Sequence, residues 1–308
     1  MSLFSPLLAD RRAYPFWILV LSAVHMIVGL LAWLVWIQTG DPHAVDLFFQ
    51  VPGPLYFVLA AVLQTSLAFR AWRSFAADQP MWTAWACLTL AGVSRLTGDL
   101  IAQVFSAATP LNPFPQYAAN ANLHEIGLTF AGPVHLLFLL LGCRVAIQVH
   151  RSVGWRSRLR PSDYLFATPI AMHVLKQVWD LFVLYPGEFS LPMRIIRWLT
   201  DPLLLILFLV ALVLWRTTRE HSGGLVGLCW GFYAAGVFFT AMGDVALWAV
   251  ESSVVHWIPA SFISWYIWFP ASAAFALAPA CQVEALRVLS RLPQAPAANG
   301  GLLNPETP

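Results

Sequence analysis

The chain has 308 residues, of which 59% are hydrophobic and 10% charged, and its mean hydropathy is +0.69. Soluble domains carry about 25% charged and 45–50% apolar residues, so composition alone excludes an ordinary soluble enzyme and points to the membrane. A formal net charge of +2 is too small for a nucleic-acid partner, and the lipid bilayer is the partner that the composition implies.

Eight apolar runs follow one another, at 15–37, 52–75, 81–106, 122–149, 163–185, 192–216, 223–251 and 257–288. A membrane-crossing helix needs about 20 mostly apolar residues, so the fold class expected is an all-α integral membrane protein of eight transmembrane helices. Arg11 and Arg12 precede the first run as in a signal peptide. The run is too long for one and lacks a small-residue cleavage site, so it is kept as the first span.

The loops at 38–51, 107–121, 186–191 and 252–256 contain no Lys or Arg. The opposite side carries Arg11, Arg12, Arg70, Arg73, Arg144, Arg151, Arg156, Arg158, Arg160, Arg216, Arg219, Arg287 and Arg291. By the positive-inside rule both termini are cytoplasmic, in a cell membrane of the bacterial inner-membrane type. After Arg291, the Pro-, Ala- and Gly-rich residues 292–308 read as a disordered cytoplasmic tail.

The halves match in register. Ala-Val-His ending at His25 answers to Ala-Met-His ending at His173, and Gly53-Pro54-Leu55 to Asp201-Pro202-Leu203, without a gap between the two matches. Further on, with small gaps, Gly98-Asp99 answers to Gly243-Asp244, and Cys143 to Cys281. The expectation is two tandem four-helix repeats, 1–152 and 153–291. Each contains an even number of spans, so both run in the same orientation about an axis along the membrane normal.

Ionisable groups inside spans are costly, at least ~2.5–3.5 kcal/mol each on insertion scales, and by default mark function. Here they concentrate away from the arginine-rich side: Arg95 and Asp99, then His173, Lys176 and Asp180, then Arg197 and Asp201, and Asp244. Arg95–Asp99, Lys176–Asp180 and Arg197–Asp201 have the i,i+4 spacing that puts two groups on one helix face. Asp244 has no basic neighbour at that spacing on its own helix. These eight residues are the candidate ligand-binding set, lining a polar cavity open to the non-cytoplasmic side.

The leading functional expectation is binding or transport of a small polar or amphipathic solute. A second is a metal-dependent membrane enzyme acting on lipid, with Asp99, His124, Glu125, His173 and Asp244 as ligands or acid–base groups. A third is an electron carrier with a haem held by His25 and His173. No Walker loop, dinucleotide fingerprint, Gly-x-Ser-x-Gly or His-Glu-x-x-His occurs, and the sequence names no cofactor. A receptor role would need a separate signalling partner.

Overall fold

The structure is a computed structural model that describes residues 13–41, 43–105, 121–184, 191–251 and 260–291. The described residues are helical, without strands. The tail 292–308 lies outside them, as do the side chain of Arg197 and most of the loop 107–121.

In chain order the helices are α1 (Tyr14–Thr39), α2 (His43–Gln50), α3 (Pro52–Arg73), α4 (Pro80–Asp99), α5 (Ala121–Thr129), α6 (His135–Ser152), α7 (Pro161–Trp179), α8 (Leu191–His221), α9 (Gly224–Glu251) and α10 (Ala260–Arg291). Three π-helical stretches continue or join them: π1 (Leu100–Phe105) after α4, π2 (Phe130–Val134) between α5 and α6, and π3 (Asp180–Leu184) after α7. Proline opens α1, α3, α4 and α7 within the first two positions. There its missing N–H costs nothing and its fixed φ favours the helix. Gly40 ends α1 in the left-handed conformation at φ 71°, with its N–H bonded to the Trp36 carbonyl.

Six helical segments among the described residues are long and apolar enough to cross a membrane: Tyr14–Thr39, His43–Arg73, Leu123–Ser152, Arg194–His221, Gly224–Leu247 and Ile263–Arg291. The described residues of the expected spans 81–106 and 163–185 are helical, but neither span is among these six. Each carries a basic–acidic pair, Arg95–Asp99 or Lys176–Asp180, and each gives way to π-helix at or just after that aspartate.

The expected loop 38–51 is also different. It contains α2, whose Val45, Phe48 and Phe49 are buried in an aromatic cluster with Tyr56, Phe57, Trp265 and Phe269. Apolar residues at i, i+3 and i+4 give this short helix a buried face.

Side-by-side packing forms a closed ring in the order α3, α4, α6, α8, α9, α10 and back to α3. Helix α1 lies chiefly against α10, and α7 against α8. Outside this ring, α1 exposes Trp17, Val24, Ile27 and Leu31, and α7 exposes Leu165, Phe166, Met172 and Leu175. Large apolar side chains left uncovered along two whole helices suit a hydrocarbon surround.

Within the ring the core is built on Trp85, Leu88, Leu139, Leu207, Trp230, Tyr233, Phe275 and their neighbours. Small side chains along α10 (Ala271, Ala273, Ala274, Ala276, Ala278, Ala280) are buried, which lets neighbouring backbones approach as membrane helices require.

At the arginine-rich end, Asp163 caps α7 through the Arg160 N–H at 2.7 Å and is gripped by Arg216 of α8 at 2.7 Å through Nε and again through Nη2. Trp155, in the connection between α6 and α7, is stacked between His150 and His221, each 5.2 Å away. These contacts fasten the linker 153–160 to α6 and α8.

Candidate functional site

Arg95 is the centre of the buried polar structure. It sits four residues before the end of α4, and the i,i+4 spacing places Asp99 on the same face, Nε to Oδ2 at 3.4 Å. Three other helices complete the surround. Arg95 Nη1 donates to Oε1 of Gln64 on α3 at 3.3 Å, and Nη2 donates to Oγ of Ser272 on α10. Ser272 Oγ in turn donates to the Trp268 carbonyl at 3.1 Å. The guanidinium lies over the ring of Phe275, 5.2 Å from its centroid, a cation–π contact that gains strength in a desolvated interior. His135, the first residue of α6, meets the same Phe275 ring edge-on at 5.3 Å.

These groups are deeply enclosed: Arg95 and Asp99 are 7% exposed, His135 2% and Gln64 fully covered. A charge buried in this way is tolerated only when paired and hydrogen-bonded.

The backbone beside this centre is irregular for identifiable reasons. Gly132 has non-helical angles (φ −95°, ψ −105°) and Pro133 follows it. Proline removes a donor from the helix ladder, and Ser94 on α4 donates to the nearby Phe130 carbonyl at 2.8 Å. The kink sits directly before His135, while π1 begins directly after Asp99. π-Helical turns inside helices recur at functional sites.

A second polar group lies on α7 and α8. Lys176 bonds to Asp180 within its own helical run, as the spacing implied. Asp201 lies 3.8 Å from His173, Oδ1 to Nε2, and both are buried. Sequence spacing tied Asp201 to Arg197, whose side chain lies outside the described residues. The lateral His173–Asp201 pair was not legible, because it joins two helices. Asp244 is half-buried on α9.

His25 belongs to neither group. Its ring is stacked on Tyr56 at 4.1 Å and 11°, with Phe269 edge-on at 4.3 Å and Phe48 at 5.0 Å. Aromatic rings therefore cover His25, whereas a carboxylate faces His173, so the two histidines matched in sequence have different surroundings. Cys143, Cys229 and Cys281 share the central core, and all four cysteines are free thiols. No group of three His, Cys, Asp or Glu among the described residues is arranged to hold a metal ion. His124 and Glu125 sit on α5, apart in sequence from Asp99, His173 and Asp244, and the five do not form such a group.

The structure thus brings Arg95 and Asp99 together with Gln64, Ser272 and His135, and His173 together with Asp201. Gln64 and Ser272 carry no charge and lie within apolar runs, so only the tertiary packing singles them out. No protein-family model, curated protein or solved structure matches the chain.

Proposed function

We propose that the chain is a multi-pass membrane protein of eight spans, built from two parallel four-helix units, that binds or transports a small polar or amphipathic solute. The solute site is its polar interior, reached from the non-cytoplasmic side. The observation that carries the reading is the buried Arg95, with partners drawn from α3, α4 and α10 and His135 of α6 beside it. Gathering polar groups from four helices into an apolar bundle is what a recognition site in a membrane requires, since each group is expensive unless used or paired.

Duplication is supported by packing. Gly98 and Gly243 are matched in sequence, and each sits where the third and fourth helical runs of its unit are in contact. A Cβ on Gly98 would lie 2.3 Å from the Ala131 nitrogen, and one on Gly243 would lie 2.1 Å from Trp268 Nε1. In the six-helix ring α6 against α8 would correspond to α10 against α3, while α1 and α7, the first helices of the two units, pack on the non-equivalent partners α10 and α8.

The solute reading is tested by a thermal-shift screen of the full chain in lipid nanodiscs against amino acids, polyols, amides and quaternary amines. Expected is a saturable stabilisation by one class, with affinity reduced at least tenfold in Asp99→Asn, on the order of the 1.4 kcal/mol that one lost polar contact supplies. A ligand whose affinity is unchanged in Asp99→Asn, Asp201→Asn and Asp244→Asn would place the site elsewhere and overturn the reading.

Orientation is tested separately. A cytoplasmic reporter fused after Pro308 should be active and an exported phosphatase there silent, with the reverse at Asn112, because 13 arginines lie in or beside one set of loops and none in the other. Phosphatase activity at Pro308 would invert the topology.

A further inference from the structure

Around Arg95, three buried side-chain atoms have no hydrogen-bond partner among the described residues: Gln64 Nε2, Asp99 Oδ2 and His135 Nε2. All three belong to one shell. Gln64 and Asp99 each hold the guanidinium, and His135 shares the Phe275 ring with it. Asp99 Oδ2 is ion-paired with Arg95 Nε at 3.4 Å and has no closer polar partner among the described residues. Buried polar atoms in native proteins are almost always satisfied, by protein or by a bound group, and three orphans in one shell describe the complement they need.

The chemistry of each orphan follows from its neighbours. His135 Nδ1 lies 2.9 Å from the Ala91 carbonyl. A carbonyl only accepts, so Nδ1 carries the hydrogen. A second cation directly beside the buried Arg95 would be strongly repelled at this dielectric, so the ring is neutral and Nε2 presents a bare lone pair. Asp99 Oδ2 is likewise an acceptor, and Gln64 Nε2 is a donor. The formal charges of Arg95 and Asp99 cancel. The shell therefore offers two acceptors and one donor without net charge, and neither an anion nor a cation fits it.

We propose that Gln64, Asp99 and His135 form a binding site for a neutral hydrogen-bond donor, a primary amide or a diol, that donates to His135 Nε2 and Asp99 Oδ2 and accepts from Gln64 Nε2. The proposal deepens the solute reading above, on which its solute source rests. The same chemistry is also supplied by an internal water, which typically makes two to four hydrogen bonds to such groups. Ser94, Ser272 and the kink at Gly132–Pro133 frame this shell rather than filling it, because both serine hydroxyls already donate to carbonyls.

The test uses the unmodified full chain in nanodiscs, labelled with ¹⁵N-histidine. The His135 resonances are assigned through their correlation with a ¹³C-labelled Ala91 carbonyl, so no variant has to fold. Expected is a neutral ring protonated at Nδ1, with Nε2 shifted in the sense of an accepted hydrogen bond. Titrations with glycerol, urea, acetate and methylammonium then separate the sources. A saturable shift of Nε2 by glycerol or urea, with none by the two ions, identifies a solute hydroxyl or amide. A hydrogen-bonded Nε2 that responds to none of the four identifies resident water, which leaves this site standing while removing it as the solute site. An Nε2 signal free of hydrogen bonding, a ring protonated at Nε2, or a response to acetate or methylammonium alone would overturn the proposal.

Discussion

Replacing Arg95 with methionine should be among the most destabilising single changes in the protein, at about 3–5 kcal/mol, because it strands a buried carboxylate. The argument rests on what stays behind. Asp99 would remain 7% exposed without its ion-pair partner, Gln64 Oε1 would lose its donor, and Phe275 would lose the cation above its ring. Methionine fills similar volume, so the loss would be electrostatic rather than a cavity. Arg95→Met with Asp99→Asn removes both charges and should recover more than half of that loss, since replacing a buried pair as a unit is often neutral. Melting of the single and double variants in one detergent, analysed as a cycle, decides this. Additive losses would mean that the ion pair contributes nothing to the fold.

A comparable loss is expected at the two Gly-Asp positions, through steric overlap rather than charge. At Gly98 an added Cβ would lie 2.3 Å from the Ala131 nitrogen and 2.6 Å from the Gly127 oxygen, both backbone atoms that no rotamer change can move. Gly98→Val should therefore force α4 away from the α5–π2 segment and cost about 3 kcal/mol or more, at or above the upper end of ordinary overpacking. Gly243→Val meets the Trp268 indole instead, at 2.1 Å from Nε1. That indole donates to the Thr240 carbonyl at 3.2 Å, so moving it breaks a hydrogen bond between α9 and α10. Because a side chain yields where a backbone does not, Gly243→Ala should be tolerated better than Gly98→Ala. The melting temperatures of the four variants check both the size and the order of these effects, and near-wild-type melting of Gly98→Val would show that this crossing is loose.

Gly98 and Asp99 also show how far a sequence can be read. Their recurrence as Gly243-Asp244 was visible as a motif. The reason for the glycine, a helix crossing too close for any Cβ, needs the neighbouring run. Arg95–Asp99 and Lys176–Asp180 were legible because i,i+4 spacing on one helix is a local property. The His173–Asp201 contact was not, since nothing in either helix records which neighbour it will meet. The same limit applies to His25 and His173: their flanking sequences match, but Phe48, Tyr56 and Phe269 surround the first and a carboxylate faces the second. Helix α2 lay within the apolar–polar pattern of 43–50, yet eight residues between two spans read as a loop until the burial of Val45, Phe48 and Phe49 is seen.

What the sequence by itself determined is the environment and the secondary structure: a long, apolar, charge-poor chain that avoids unsatisfied backbone in lipid by becoming helical, with its in-span ionisable residues set apart from the arginine-rich loops. What only the tertiary structure decided is which helices are neighbours, and hence that Gln64, Ser272 and His135 close around Arg95. The physical reason is that hydrocarbon and protein core are equally apolar, so hydropathy does not distinguish a face that meets lipid from one that meets another helix. Close approach at Gly98 and Gly243, the kink at Gly132–Pro133 and the hydrogen bonds of a few buried polar atoms make that choice.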